Sequence, residues 1–568
     1  MSQQNDDIDY NEDGDESDIS ENESGMETDE DMDEPGDISH GPWICVPTDE
    51  TYVMSVIPND FVQAPAPQNR PAVTARPIDY FDYFTVDNEN DTNVIDILVS
   101  ETNRYATQTI QSNQQPLPTF SRMHHWIPTD RTEMRAFVGL MMTMGMIKKP
   151  TIESYWNKSG DTYLYHSPSF SQIFSRNRFQ NILRFLHCND NRTAIPRGSP
   201  GYDPGHKIRP IFDILNNTFH TKYNLARDLT VDESMVGFKG RHNLVQYMPG
   251  KKSHRWGAKL FVLAESDTGY TSQVMLYSGK QARVRRAVHG LGYTVVTDLS
   301  SKHRGKNHHL VLDNAFTSPT LCRDLYTHNI YNTGTVRVHR KGMPRSFKTT
   351  RVAKGERVAR QQGPIMAMKY GDRKEVTFLS TFEGPSLKRT ENSRGVERHV
   401  PKVVDIYNRK MGGVDLADQH IQVYDPDFRS VKLWKKLLVN MILRVVGNAY
   451  VLYQRNRRLL PKMTRMEFHS QIYHQLIGDL RVDRNIPRGP CNGSRRLVER
   501  HFIENLPGKS RRPCHVCSRQ TLGGRNEKRS RVRTWCPDCN VGLCLGYCFR
   551  IYHKCQKFAT HRRGINEE

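Results

Sequence analysis

Apolar positions recur with two different periods along the chain, and the change of period divides it into regions. Between residues 78 and 228 apolar residues follow helical spacing, as in Phe137, Leu140 and Met144 after a candidate N-cap at Asp130. This spacing predicts a mainly helical region, with the methionine and leucine stripe in its core.

From residue 229 onward the pattern changes to short apolar runs that are typical of strands. The runs lie at residues 229–232, 259–264, 271–277, 310–313, 365–369 and 376–379. Helical patterns lie between and after them, which predicts an α/β core. The last two runs fall in a basic stretch and predict an inserted β subdomain.

These changes of pattern and composition divide the chain into seven segments. They are a disordered acidic arm and Pro-rich linker (1–77), a helical domain (78–228), the first part of the α/β core (229–337), the inserted β subdomain (338–402), the last part of the core with a helical extension (403–480), a basic linker (481–510) and a cysteine-rich domain (511–568). The arm is predicted to be disordered because so few apolar residues cannot offset the entropy of ordering it.

Charge is distributed unevenly along the 568 residues, whose formal net charge is +19. The first 69 residues hold 20 of the 62 acids and no Lys or Arg, so 81 bases face 42 acids in the rest. Such an excess favours a polyanionic partner, most often nucleic acid. A basic surface kept for solubility is the alternative. We hypothesise that the acidic residues 1–69 compete with DNA for the basic surfaces.

The longest apolar stretch, residues 437–453, predicts a buried helix. Asn440, Arg444 and Asn448 interrupt it, so it is a poor membrane span. The acidic N-terminus resembles neither a secretory signal nor a transit peptide. We therefore expect a protein inside the cell, with reduced thiols and no membrane partner.

Four aspartates lie where predicted elements could bring carboxylates together. Asp232 and Asp313 each end a strand-like run, and Asp415 and Asp418 share one face of a predicted helix. Clustered carboxylates repel one another unless a cation neutralises them, and oxygen ligands favour Mg²⁺ or Mn²⁺. Two such ions suit phosphodiester chemistry. From spacing alone, an aspartate that caps a turn or helix is an equally open interpretation.

The cysteine-rich tail has the ligand spacing of a zinc domain. Its candidate ligands are Cys514, Cys517, Cys536, Cys539, Cys544, Cys548, His553 and Cys555. Two CxxC pairs are typical of zinc sites, and eight ligands predict two structural Zn²⁺ ions in an interleaved cross-brace. One ion would take Cys514, Cys517, Cys544 and Cys548; the other would take Cys536, Cys539, His553 and either Cys555 or His561. Free thiols are the alternative.

Three blocks around the aspartates resemble the catalytic blocks of the piggyBac transposase family, in the same order and at similar separations. They are residues 229–241 (LTVDESMVGFKGR), 310–318 (LVLDNAFTS) and 412–419 (GGVDLADQ). Residues 80–84, 101–106 and 334–337 and the cysteine-rich tail also look familiar. The resemblance therefore covers residues 78–568.

The resemblance implies an RNase H-like catalytic core and a helical domain for dimerisation and DNA binding. Asp232, Asp313 and Asp415 would be the D, D, D set that holds two catalytic Mg²⁺ or Mn²⁺ ions, with Asp418 as a nearby fourth acid. The implied activity is DNA recombination in the nucleus, by cut-and-paste transposition through hairpin ends at TTAA sites. The implied partners are double-stranded DNA, as transposon ends and TTAA target, and a second copy of the chain.

Matched positions also suggest residues that contact DNA near the cleaved bond. Lys239 and Arg241 follow the first acid and Asn314 follows the second, where they would hold phosphates of the scissile strand.

Other matched positions suggest contacts with the target and with unpaired bases. Arg337 and Arg340 correspond to target-DNA contacts, with a solvated basic loop as the alternative. Trp434 matches an aromatic that would stack on an unpaired hairpin base, with a core tryptophan as the alternative.

Two further function classes remain open at this point. The first is a domesticated, transposase-derived DNA-binding or chromatin protein without transposition activity. The second is a RING-like ubiquitin ligase, which the ligand order of the tail disfavours.

Overall fold

The computed structural model describes most of the chain beyond the acidic arm, as two compact units, Met1–Arg481 and Val482–Glu568. The described residues are 41–52, 60–61, 63–68, 70–112, 121–156, 168–249, 255–279, 289–391, 397–428, 430–457, 461–480, 501–508, 510–518 and 531–554. The predicted disorder of residues 1–40 lies outside them.

The first unit combines helices and strands in the order that an α/β chain requires. Its helices are α1 (Pro77–Thr85), α2 (Val94–Ser112), α3 (Arg131–Met146), α4 (Pro168–Ile173), α5 (Arg176–Phe185), α6 (Arg209–Thr221), α7 (Gly290–Ser300), α8 (Pro319–Thr327), α9 (Lys402–Lys410), α10 (Gly413–Gln422), α11 (Leu433–Asn456) and α12 (Arg465–Ile477). Its strands are β1 (Ile44–Val46), β2 (Ala66–Pro67), β3 (Val86–Asp87), β4 (Thr92–Asn93), β5 (Tyr223–Asn224), β6 (Asp228–Gly237), β7 (Val245–Tyr247), β8 (Trp256–Glu265), β9 (Thr271–Leu276), β10 (His308–Leu312), β11 (Ile330–Thr335), β12 (Arg357–Gln362), β13 (Ile365–Gly371), β14 (Glu375–Ser380), β15 (Leu387–Glu391) and β16 (Glu397–Pro401).

One mixed sheet organises this unit. Its ten strands run in the order β1-β12-β13-β14-β11-β10-β6-β8-β7, with β9 on β8. The central strands β6, β10 and β11 are parallel, whereas β8 and β14 flank them antiparallel. The predicted α/β class is therefore confirmed.

The predicted β subdomain at residues 338–402 is not a separate sheet. Strands β12, β13 and β14 extend the main sheet through the pairing of β14 with β11, and only β15 and β16 form their own pair. The Pro-rich linker also enters the fold, because β1 pairs with β12 at the edge of the sheet. The Pro-rich linker and the predicted β subdomain, which composition had assigned to separate segments, thus contribute strands to the main sheet.

Several helices of residues 78–228 share a core with the central strands, whereas the buried residues of β12, β13 and β14 form two smaller clusters. Buried side chains from α1, α3 and α6 belong to the same cluster as those of the sheet, α11 and α12. Asp130 caps α3 by accepting from the Glu133 amide at 2.8 Å, and the Met and Leu stripe that follows is buried, both as predicted.

Helix α11 is a buried helix, as its interrupted apolar pattern predicted. It is long and apolar enough to cross a membrane by length and composition alone, yet 89% of its most apolar window is buried inside the protein. Its polar residues Asn440, Arg444 and Asn448 are buried as well.

The described residues of the second unit form short strands and a helix. They are β17 (Glu504–Asn505), β18 (Arg512–Pro513), β19 (Arg531–Val532), β20 (Thr534–Cys536), β21 (Val541–Gly542) and α13 (Tyr547–Lys554). Cysteine side chains make up much of its small buried cluster, so its core consists largely of candidate metal ligands.

Candidate active site and metal centres

Alternate side chains of β6, from Asp228 to Ser234, form a polar row that faces α9 and α10. Asp228 pairs with Lys410 Nζ at 3.1 Å, and Thr230 Oγ1 donates to the Lys410 carbonyl at 2.8 Å. Further along the strand Ser234 Oγ donates to Asp418 Oδ1 at 2.7 Å. Since side chains alternate along a strand, Asp232 lies in the same row.

Asp232 and Asp313 lie side by side on parallel neighbours. Val231 of β6 is opposite Leu312 of β10, so the aspartate that follows each of them occupies the same level of the sheet. Leu312 is in turn opposite Gly334 of β11, which puts Thr335 beside Asp313. The structure therefore brings the first two predicted acids together.

One expectation about Asp232 is corrected. The sequence predicted that β6 ends there, but the strand continues to Gly237, since its pairing with β8 extends as far as Gly237 opposite Gly257. Asp232 is thus in the middle of a strand, and only Asp313 follows a strand end.

A hydroxyl relay reaches Asp313 from α9. Thr335 Oγ1 donates to Asp313 Oδ1 at 3.2 Å and lies 3.3 Å from the Tyr407 hydroxyl. Because threonine has a single hydroxyl proton, Tyr407 is the donor to Thr335. The sequence analysis missed both hydroxyl residues.

The surroundings of Tyr407 favour its protonated form. Burial and, to a smaller extent, the negative charges of Asp313 and Asp232 raise the pKa of Tyr407 to about 12. Tyr407 therefore keeps its proton at neutral pH and remains a donor.

The start of α10, the helix that carries Asp415, is pressed against the sheet. A Cβ on Gly413 would come within 2.8 Å of Ser266 Cα and 2.9 Å of Thr230 Oγ1, whereas one on Gly412 would meet nothing within 4 Å. Thr230 belongs to the polar row of β6. Helix α10 therefore begins on the face of the sheet that carries Asp232, and the Asp415 side chain in its first turn is exposed.

We expect Gly413→Ala to destabilise the protein, with Gly412→Ala as its matched control. The added methyl group forces the helix away from backbone atoms, and such overpacking costs ~1–3 kcal/mol. Urea unfolding should show this loss for Gly413→Ala and a near-zero change for Gly412→Ala. Equal effects of both substitutions would contradict the close approach.

Asp418 has different surroundings from Asp415. Its Oδ1 accepts from Ser234 and from Arg444 Nη2 at 3.0 Å, and Arg444 is fully buried. Asn440 and Thr271 accept further bonds from the same guanidinium. The two helix carboxylates therefore diverge, since Asp415 is exposed while Asp418 is buried against α11.

Among the predicted DNA-contact residues, Asn314 and Arg340 contact each other beside Asp313. Arg340 Nη2, from the segment after β11, donates to the Asn314 carbonyl at 2.7 Å, so this segment contacts the loop that begins at Asp313. Arg337 is exposed just before Arg340 in the chain.

Lys239 and Arg241 lie beyond the end of the strand that carries Asp232, and both are exposed. Gly237 alone is five residues past Asp232, which is ~17 Å along an extended strand. The two basic side chains are therefore not neighbours of the aspartates, and their contact with DNA phosphates stays a prediction.

Trp434 is part of the core, the alternative that the sequence analysis left open. It is 7% exposed and packs against the His187 ring at 5.2 Å between centroids. Stacking on a DNA base would require the indole to leave this contact.

Four cysteines of the tail form the first candidate metal centre, with the grouping that the sequence predicted. Cys514, Cys517, Cys544 and Cys548 bring their sulfurs within 4.8 Å of one another. Cys517 Sγ lies 3.8 Å from Cys544 Sγ and 3.5 Å from Cys548 Sγ. Thiolates around one tetrahedral zinc lie ~3.8 Å apart, so these four residues fit that ion.

The second candidate centre contains a ligand that the sequence analysis missed. Cys536, Cys539 and His553 converge with His501, whose Nδ1 is 3.6 Å from both sulfurs. The pairing of β17 with β20 explains the approach, because it brings the segment after His501 beside Cys536. The expected fourth ligands, Cys555 and His561, lie outside the described residues.

His553 has the hydrogen-bonding partner of a metal-binding imidazole. Its Nδ1 lies 2.8 Å from the Phe549 carbonyl, so it donates there and leaves Nε2 to face Cys539 at 3.5 Å. Such a bond fixes both the tautomer and the orientation of the ring.

The fourth ligand can be identified by metal content. We expect His501→Ala to lower the zinc content of the full chain by about one ion, and Cys555→Ser to leave it unchanged, since each ion needs four ligands. Elemental analysis of the purified variants measures this. The opposite result would assign the site to Cys555.

Comparison with known proteins finds a matching protein family and similar human proteins. A family model described as Transposase IS4 matches residues 76–450. Human PiggyBac transposable element-derived protein 3 is 27% identical over 401 residues, which are 67% of this chain and 63% of that protein. Human PiggyBac transposable element-derived protein 5 is 22% identical over 445 residues, 74% of this chain and 79% of that protein.

A solved structure shares the fold. The cryo-EM structure of piggyBac transposase synaptic complex with hairpin DNA superposes with a TM-score of 0.62 at 24% identity, covering 74% of this chain and 84% of that chain. The mixed sheet and the four aspartates thus lie in a transposase fold. The chain belongs to the piggyBac transposase family, as its sequence blocks indicated.

Proposed function

We propose that this chain is a DNA transposase of piggyBac type, which cleaves and rejoins DNA at Asp232, Asp313 and Asp415. The observation that carries the proposal is the level placement of Asp232 and Asp313 on adjacent parallel strands. Asp415 lies in the first turn of α10, and the close approach at Gly413 sets the start of this helix on the same face of the sheet. Elements from three parts of the chain would thus supply one set of carboxylates.

The donor set suits a pair of hard divalent cations. The acids provide only oxygen ligands, and Mg²⁺ or Mn²⁺ prefers such ligands. Besides burial, the negative charges of Asp313 and Asp232 raise the pKa of Tyr407, and a bound cation would offset these charges. When bound, two such ions would stabilise the charge on the attacking and leaving oxygens of a phosphodiester.

The chain's own residues orient these acids. The relay from Tyr407 through Thr335 fixes the Asp313 carboxylate, and Arg340 holds the backbone of Asn314 beside it. In the proposed sequence of reactions, hydrolysis frees a 3′-OH, which attacks the opposite strand to form a hairpin. Water then reopens the hairpin, and the 3′-OH that this releases attacks a TTAA target and displaces a 3′ oxygen of the target strand.

The remaining parts of the proposal concern assembly and location. The two tail centres would each hold a structural Zn²⁺, and the tail would bind transposon-end DNA in the nucleus. A homodimer would bring two such active sites to paired DNA ends. The basic excess beyond residue 69 supports the choice of DNA as partner.

A second candidate function is a DNA-binding protein without transposition activity. It is favoured by the relatives' names, which describe human proteins derived from a transposable element. Retention of all four aspartates in the sequence favours the enzyme.

Cleavage of DNA that flanks the gene separates the two functions. We expect the purified full chain to nick such DNA at a TTAA boundary in Mg²⁺ or Mn²⁺, to form hairpin ends, and to do neither in EDTA. Gel analysis of end-labelled DNA follows both products. Specific binding without any metal-dependent product would support the second candidate instead.

A further inference from the structure

The far end of the β6–β8 pair carries an exposed aromatic pair that the proposed chemistry does not use. We call this region, residues 238–249 and 255–257, the hairpin tip. Trp256 is 51% exposed although it is a large aromatic, and its ring packs on Tyr247 at 4.8 Å between centroids. Tyr247 covers one side of the indole, and much of the rest faces solvent.

The hairpin tip is also strongly basic. Residues 234–264 contain six Lys and Arg and not a single Asp or Glu. Lys239, Arg241 and Arg255 are exposed around Trp256, whereas Lys259 is engaged with Glu233 at 2.5 Å nearer the acids. Tryptophan beside unpaired cations is the composition of a surface for nucleic acid strands.

Its location suits DNA that leaves the aspartates. The tip begins at the end of the strand that carries Asp232, ~17 Å from that residue at the rise of an extended strand. That distance is roughly five steps of a DNA strand at 3.4 Å each. A strand whose phosphate is at the carboxylates can therefore follow β6 to the tip.

We propose that the hairpin tip binds unpaired nucleotides, with a base stacked on Trp256 and phosphates neutralised by Lys239, Arg241 and Arg255. The binding of unpaired nucleotides at the tip does not depend on the proposed function. Only the statement that these nucleotides belong to the strand next to the cleaved bond rests on it. Stacking on a flat open indole favours an unpaired base, since bases in a duplex already stack on each other. Trp434 is buried, so the structure transfers the stacking role from that residue to Trp256.

Binding in EDTA tests this without any cleavage. Fluorescence anisotropy with the full chain would compare a blunt duplex, the same duplex with a five-nucleotide single-stranded extension at either end, and that extension made of abasic sites. We expect the parent to prefer one of the extended duplexes and to lose the preference when its bases are absent. Trp256→Ala should weaken binding to that DNA about tenfold, within the range for one stacked base, and leave blunt duplex unchanged.

Two further variants keep the result interpretable. Trp256→Tyr should retain most of the preference because its ring can still stack, and Ile127→Ala, at another exposed apolar residue (68%), should retain all of it. Equal weakening of blunt and extended DNA by Trp256→Ala, or no weakening, would overturn the proposal. A chain that shows the preference in EDTA but never nicks DNA would refute the proposed function and leave this inference standing.

Discussion

Replacing Asp313 with asparagine is expected to lower metal-dependent nicking roughly a thousandfold, since metal stabilisation of a phosphoryl transition state is worth several kcal/mol. Asparagine has nearly the same shape, and its amide oxygen can still accept from Thr335. The substitution therefore removes the charge that attracts the cation and leaves the fold in place. Rates of nicking of end-labelled DNA in Mg²⁺ measure the effect.

A surface aspartate provides the control for this experiment. Asp96 pairs with Arg131 at 2.8 Å while both side chains are about half exposed (50% and 51%). Such pairs contribute ~0–1 kcal/mol, so Asp96→Asn should cut like the parent. Both variants should bind DNA normally in EDTA. If Asp313→Asn cut as fast as the parent, the assignment of the carboxylates would be wrong.

The second large effect is expected at the buried ion pair between Asp418 and Arg444. Arg444→Ala leaves the Asp418 carboxylate buried without its partner charge, and breaking such a pair costs ~3–5 kcal/mol. Urea unfolding should therefore show a loss of this size. Arg409→Ala, which breaks an exposed pair with Asp405, should cost less than about 1 kcal/mol.

A double substitution separates the structural role of Asp418 from a catalytic one. Asp418→Asn with Arg444→Met removes both charges, and replacing both partners of a buried pair is often nearly neutral. If this variant recovers stability and still nicks DNA, Asp418 stabilises the fold by holding α10 against α11. A stable double variant that no longer nicks would make Asp418 part of the catalytic set.

Local patterns predicted the central strands well and their ends less well. The apolar runs at Leu229 and Leu310 lie in β6 and β10, and their parallel pairing set Asp232 beside Asp313 as expected. The continuation of β6 was missed because its polar side chains Asp232 and Ser234 interrupt the apolar run. They face α9 and α10, an environment that exists only once those helices have packed.

Contacts between distant segments were beyond the sequence patterns. Nothing local to residues 338–402 shows that β14 pairs with β11. The sequence patterns likewise gave no sign that Tyr407 lies near Asp313, because this contact depends on how α9 packs against the sheet. Strand register and helix placement decide such neighbours, and neither has a signature within a short window.

The metal ligands also show that local spacing does not reveal contacts between distant segments. The short spacings of Cys514 with Cys517 and of Cys544 with Cys548 identified the four cysteines of the first centre, because each pair is local. His501 belongs to no such pair and reaches Cys536 through β17 and β20. The sequence likewise did not distinguish Trp434 from Trp256, since only tertiary packing shows that Trp434 is buried and Trp256 is exposed.

Strand β1, near the start of the described residues, protects the edge of the sheet against self-association. It covers β12, whose unpaired backbone would otherwise invite strands from other molecules. Trp43 Nε1 to the Gly342 carbonyl (3.0 Å) and Gln362 Nε2 to the Gly41 carbonyl (2.6 Å) fasten it there. A truncation of residues 1–69, the segment that contains no Lys or Arg, would also remove β1 and expose this edge. Aggregation through the exposed edge would then be mistaken for an effect of the acidic residues on DNA binding. A truncation that stops before Gly41 would remove most of the acids and keep the edge covered.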